Sequence, residues 1–138
     1  MTRGRVAVDT SVAVCLLVQT HAAHAAVSHW AAGRELVLSG HAAIETYTVL
    51  TRLPGDLRTA PTDASRVIEA SFADIVTLSD PATHDVVRRL AQAGIAGGAA
   101  YDALVGMAAH RAGLTLATRD ARAQATYQAI GAQIELVP

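Results

Sequence analysis

Val6-Ala7-Val8-Asp9-Thr10-Ser11 is the stretch on which the reading of the fold turns. Three apolar residues lie between Arg5 and Asp9, the pattern of a short buried strand. Asp9 then stands at the strand's carboxyl end, where open α/β sheets gather their ligands. Thr10 and Ser11 are suited to cap a helix starting at about Val12. A lone Asp at a strand end serves a turn equally well. Its meaning depends on what else the chain brings to that end.

Working outward, Val12–Gln19 and Ala22–Ala32 read as helices, with Gly33 as a stop. His21 and His24 in this region could share a face, but no third ligand follows at metal-binding spacing, so a solvated face is expected. Trp30 is expected in the core or an interface. Leu36–Ser39 reads as a second strand, and Gly40 leads into a helix over His41–Leu53 that Pro54-Gly55 ends. Glu45 falls in that helix's first turn, where the dipole favours a carboxylate, and Arg52 shares roughly its face. A loop over Pro54–Pro61 precedes a helix over Thr62–Phe72, with Thr62 or Asp63 as its cap. Ile75–Leu78 reads as a third strand, and Ser79/Asp80 open a helix to about Ala93 with Pro81 in its first turn. The glycine-rich link Gly94–Gly98 matches no phosphate-cradling pattern. A helix over Ala99–Ala112 carries Asp102 in its first turn and a face of small residues. Leu114–Ala117 reads as a fourth strand leading into Thr118-Arg119-Asp120, then a helix over Ala121–Ile130 and a terminal strand, Gln133–Val137. Strands alternating with helices imply an α/β fold: a mostly parallel sheet covered on both faces. No repeat, linker or boundary divides residues 1–138, which read as one domain.

Composition narrows the chemistry. Thirty alanines inflate the apolar fraction without marking an exposed sticky surface. The net charge of −1 gives no bulk field to attract nucleic acid, so any such contact needs a local arrangement of arginines. All 11 basic residues are arginine. Without lysine there is no P-loop and no Schiff-base chemistry, and the phosphatase and receiver folds that also place an Asp after strand one lack their required Lys. A single cysteine, Cys15, excludes an internal disulfide and a Cys-rich zinc site. No signal-peptide core or membrane-length apolar run occurs, and a cytoplasmic protein without membrane contact is expected.

A parallel sheet delivers Asp9 and Asp120 to the same edge, and Glu45 and Asp102 each open a helix leaving that edge. Four converging carboxylates are costly unless a cation is bound. Oxygen ligands of this kind suit Mg²⁺ or Mn²⁺, and such a site supports phosphodiester hydrolysis.

Four pieces, Val8-Asp9-Thr10-Ser11, Ile44-Glu45-Thr46-Tyr47, Tyr101-Asp102-Ala103-Leu104 and Thr118-Arg119-Asp120, resemble in order and spacing the motifs of PIN domains, and more narrowly of VapC toxins from bacterial toxin–antitoxin pairs. Each piece alone is unspecific; the set runs along nearly the whole chain. The resemblance implies a three-layer α/β/α fold and a Mg²⁺-dependent endoribonuclease, with Mn²⁺ able to substitute. Asp9, Glu45, Asp102 and Asp120 would be the catalytic, metal-binding acids, and Thr118 would support them by hydrogen bonding. It further implies a structured RNA substrate such as tRNA or rRNA, a homodimer, and a VapB-type antitoxin that forms a hetero-oligomer and inserts a basic side chain into the pocket. Some PIN proteins carry a further acid just after the strand-four Asp. Here Ala121-Arg122-Ala123 follows, so one tightly held Mg²⁺ is expected, with any second assisted by substrate.

Arg119 and Arg122 flank the acids and are candidates to grip RNA phosphate; a solvated face or an ion pair with a site acid is the alternative. Arg52 could pair with Glu45 in the metal-free state. The few aromatics form no evident base-stacking platform, so recognition by RNA shape and backbone is expected. Two other functions share these features. One is a catalytically silent PIN-like RNA-binding module, and the other a metal-dependent phosphohydrolase or nuclease acting on another phosphoester.

Overall fold

The computed structural model of the protein describes residues 3–138. Strand β1 (Arg3–Val8) lies at the centre of a five-stranded sheet. After it come α1 (Thr10–Leu17), α2 (His24–Ala31), β2 (Arg34–Ser39), α3 (Ala42–Arg52), α4 (Pro61–Ser71), β3 (Asp74–Val76), α5 (Asp80–Gln92), α6 (Ala99–Arg111), β4 (Leu116–Thr118), α7 (Gln124–Ala129) and β5 (Ile134–Leu136).

The strand order is β3-β2-β1-β4-β5, and every pairing is parallel rather than mostly so. From β1 the chain steps outward to β2 and β3, then crosses back to β4 and β5. Right-handed crossovers therefore put α1–α4 on one face and α5–α7 on the other, giving three layers. Helix α1 packs on α3, and α6 on α7, in keeping with this division. Val8 sits opposite Leu38 on one side and Ala117 on the other. All three are fully buried, as expected for central strands covered on both faces.

Several boundaries move for local reasons. Helix α1 starts at Thr10, so Asp9 itself is the cap: its Oδ1 accepts the Val12 N–H at 3.3 Å. The hydroxyls of Thr10 and Ser11 are thereby released for other partners. Helix α4 starts at Pro61 with no side-chain cap, because proline's missing N–H costs nothing in a first turn; the expected Thr62 or Asp63 cap does not form. Strands β3 and β4 shorten to three residues each. Residues 121–123 form a turn, leaving α7 only Gln124–Ala129.

Trp30 is buried at the edge of the core, where its indole N–H donates to Glu135 Oε1 at 2.9 Å and the Arg34 guanidinium lies 4.7 Å from its ring. His21 and His24 are half-buried and tie the α1–α2 connection together, in place of the expected solvated face. His21 Nδ1 accepts the Ala23 N–H at 3.0 Å, and His24 Nδ1 donates to the Cys15 carbonyl at 2.8 Å. Among the described residues no helix is long and apolar enough to cross a membrane.

Candidate active site

The chain reverses its direction across the sheet between β1 and β4, the crevice where doubly wound sheets bind ligands. Asp9 leaves β1 on one side of this crevice. Thr118 ends β4 on the other, with Asp120 two residues on.

Asp9 is only 3% exposed, yet each of its carboxylate oxygens is hydrogen-bonded twice. Oδ1 accepts from Ser11 Oγ at 2.6 Å and from the Val12 amide, and Oδ2 accepts from Thr118 Oγ1 at 2.5 Å and Tyr127 OH at 2.8 Å. Four donors fill the acceptor capacity of a carboxylate. Two of them are relays. Ser11 Oγ accepts the Arg119 amide at 2.8 Å, and Thr118 Oγ1 accepts the Asp120 amide at 3.0 Å. The backbone leaving β4 thus solvates the carboxylate leaving β1 through two intervening hydroxyls. Burial, and next the Asp9 charge, push the Tyr127 phenol far above its ordinary range. It stays protonated and remains a donor.

Tyr127 reaches Asp9 because α7 packs tightly on α6. A Cβ on Gly106 would come within 2.8 Å of Ile130 Cδ1 and 3.1 Å of Tyr127 Cδ1. A second close approach brings α6 to the end of β2. Gly40 has φ +54°, and a Cβ there would stand 2.9 Å from the Leu104 carbonyl oxygen, while Ser39 Oγ donates to the Val105 carbonyl at 2.6 Å. These contacts pin the start of α3, with Glu45, beside α6, with Asp102.

The other acids are held more loosely. Glu45 Oε2 accepts the Thr10 hydroxyl at 2.9 Å. Asp120 Oδ1 accepts the Arg122 amide at 2.9 Å. Asp102 is half-buried, and among the described residues its carboxylate has neither a hydrogen bond nor an ion pair. Burial raises its carboxyl above the usual range, and the charges of Glu45, Asp120 and Asp9, in that order, raise it further. Glu45, Asp120 and Asp9 therefore all lie within electrostatic reach of Asp102. None is paired with an arginine among the described residues. Nor do any three acidic, imidazole or thiol groups among those residues close into a ready-made ligand shell. Glu45, Asp102 and Asp120 thus keep carboxylate oxygens free of other partners, an all-oxygen donor set whose chemistry would suit a hard divalent cation.

A family model described as PIN domain matches residues 6–129. The chain belongs to the PIN-domain family. Within that family it falls among VapC-type members. It is 58% identical over 128 residues to Ribonuclease VapC27 of Mycobacterium tuberculosis, covering 93% of each chain. It is 42% identical over 137 residues to Ribonuclease VapC40 of the same species, covering 96% of this chain and 98% of that one. Two solved structures share the fold. FitAB bound to a DNA fragment matches with TM-score 0.71 at 19% identity over 95% of this chain and 94% of that one. M. tuberculosis VapC20, described as a toxin that cleaves the sarcin–ricin loop, matches with TM-score 0.69 at 20% identity over 96% and 99%.

In this PIN domain the arginines near the pocket differ in their freedom. Arg119 is committed to the protein itself: its Nε donates to the Pro138 carbonyl at 2.6 Å and its Nη1 to Cys15 Sγ at 3.3 Å. The guanidinium of Arg122 is exposed and has no partner among the described residues. Arg52 forms no ion pair with Glu45, whose bonded partner is Thr10. Cys15 is a buried, packed thiol, and burial raises its pKa despite the neighbouring Arg119. Sequence reasoning assigned Thr10 and Ser11 to capping and left Tyr127 without a role. The hydroxyl pair directly after Asp9 was a usable signal for the first two. Tyr127, 118 residues from Asp9, gave none.

Proposed function

We propose that this PIN domain is a metal-dependent endoribonuclease toxin of the VapC type. The observation that carries the reading is the gathering of Asp9, Glu45, Asp102 and Asp120 at the β1–β4 crevice with no cationic side chain among them. The relatives named ribonucleases, similar over almost the full chain, supply the nature of the phosphodiester. The cation is Mg²⁺, for which Mn²⁺ can substitute, because the donors are all oxygen. When bound it supplies a water of lowered pKa and neutralises charge on the scissile phosphate.

The chain's own residues do the rest. Asp102 presents the least hydrogen-bonded carboxylate, and Glu45 accepts only the Thr10 hydroxyl. Asp120 completes the acidic wall from the β4 side. Asp9 is orientated by its four donors, and Thr118 is one of them. Arg122 is the guanidinium free to meet phosphate oxygens of the substrate. The substrate is a structured RNA such as tRNA or rRNA. The enzyme acts in the cytoplasm as a homodimer, and a VapB-type antitoxin silences it by placing a basic side chain among the acids.

The test is digestion of purified total RNA with Mg²⁺, with EDTA, and by Asp9→Asn and Asp102→Asn variants. Discrete fragments that disappear in all three controls are expected. Intact RNA after incubation with folded, Mg²⁺-supplied, antitoxin-free protein would overturn the assignment.

A further inference from the structure

Among the five Phe, Trp and Tyr residues, four pack into or against the body of the protein. Trp30, Phe72 and Tyr127 are buried, and Tyr47 is half-buried. Tyr101 alone is exposed, at 55%. It is also the residue immediately before Asp102, in the first turn of α6. Its ring lies 5.2 Å from that of His41, tilted by 31°, and His41 is the residue from which α3 departs. Two elements distant in sequence thus assemble a pair of tilted rings, each in the first turn or cap of a helix that carries a site acid. Ile44, 62% exposed and next to Glu45, adds an apolar neighbour in the same turn as a site acid. No run of aromatics in the sequence marks this platform, because the fold creates it from two single residues.

Exposing a tyrosine ring and an isoleucine beside uncompensated carboxylates has no structural return in the free protein. The same contacts that bring Glu45 to Asp102 bring His41 to Tyr101, since each aromatic lies within four residues of its acid. A phosphate brought to those acids by a bound cation would therefore lie beside residues that carry two aromatic rings. Such rings stack nucleobases of single-stranded or looped RNA, which a duplex keeps paired.

We infer that Tyr101 and His41 form a nucleobase-binding subsite that stacks an unpaired base flanking the scissile phosphate. The inference rests on the ribonuclease reading and adds to it the requirement for an unstacked nucleotide at the cut. The occupant is a base because the pair adjoins the pocket for its phosphate, and its polar edges, a phenol and an imidazole, suit a heteroaromatic ring.

The test uses the full chain carrying Asp102→Asn, which binds without cutting. Its affinity is measured by fluorescence anisotropy for short labelled RNAs of uridine or adenosine and for a matching oligomer without bases. The base-bearing RNAs are expected to bind about tenfold more tightly than the abasic one, the value of one base–aromatic contact. Tyr101→Ala should abolish that difference, Tyr101→Phe should keep it, and His41→Ala should reduce it. Equal affinity for abasic and base-bearing RNA, or a preference that survives Tyr101→Ala, would overturn the subsite. So would a change of oligomeric state in Tyr101→Ala with base preference intact, since the rings would then cover a second copy of the chain. A protein that cleaves total RNA but ignores bases keeps its ribonuclease assignment and loses the subsite. One that prefers bases through Tyr101 yet cleaves nothing keeps a base-binding surface but loses both the ribonuclease assignment and the subsite's place beside a scissile phosphate.

Discussion

Asp9 and Asp102 stand in one pocket and are treated in opposite ways. Asp9 is almost wholly buried and receives four hydrogen bonds, two of them backed by backbone amides of the β4 exit. Asp102 is half open, receives none among the described residues, and is pushed above its ordinary ionisation range by burial and by its acidic neighbours. One charge is neutralised by fixed dipoles of the fold, and the other is left for something from outside. Asp9 is accordingly part of the structure as well as of the site, whereas Asp102, raised and unpaired among the described residues, acts against stability.

The sharpest way to break this contrast is to delete Asp9. Asp9→Ala removes the α1 cap and leaves the buried Tyr127 hydroxyl unpaired. A loss of about 3–4 kcal/mol is expected by urea denaturation, and RNA cleavage should be undetectable. A smaller effect should follow from separating the two acids' supports. Gly40→Ala needs φ > 0 for a residue with a side chain and drives a Cβ against the Leu104 carbonyl, at an expected cost of about 2–3 kcal/mol. It should also weaken metal binding, read by calorimetric titration with Mn²⁺.

Tyr127→Phe tests one of the four donors alone. A loss of about 1.5–3 kcal/mol is expected, the value of a hydrogen bond to a charged group, with the largest remaining activity of any change at Asp9 or its donors. A Tyr127→Phe protein as stable as the parent would mean that Thr118, Ser11 and Val12 suffice.

Asp102→Asn should have the smallest effect and the opposite sign. Because its folded-state carboxyl is raised, the unfolded chain gives up this proton first as pH rises. Stability of the metal-free protein therefore falls between the ordinary carboxylate range and the raised value, and stays lower above it. Asp102→Asn should flatten that slope and, after allowing for solvent screening, gain about 1 kcal/mol or less at neutral pH, or roughly 3 °C in melting temperature. Added Mg²⁺ should stabilise the parent and not the variant. A variant less stable than the parent without metal would end the contrast between the two acids.

The sequence alone made the sheet and the four acids visible because both depend on patterns local to each segment. A buried parallel strand is a short apolar run, and an acid at its end or in the next helical turn is recognisable where it stands. The strand order, with β1 central, follows from that reading only through topology. The support of Asp9 was hidden for a physical reason: Thr118 and Tyr127 lie 109 and 118 residues away from it. Their contribution depends on how closely α6 and α7 pack, which a glycine at position 106 allows but does not announce. The Arg119 side chain was equally hard to read, since its partners Cys15 and Pro138 come from opposite ends of the chain. The Tyr101–His41 contact had the same difficulty, because each ring is unremarkable until α3 and α6 meet.

The relay from the β4 exit through Ser11 and Thr118 to Asp9 also governs when activity can begin. During synthesis the segment carrying Asp9 emerges long before the one carrying Thr118, Asp120 and Tyr127. Until β4 docks beside β1, Asp9 lacks its solvating hydroxyls, and the pocket lacks one of its four walls. A truncated or partly folded chain therefore carries an unfinished site, with Asp9 short of the Thr118 and Tyr127 hydroxyls.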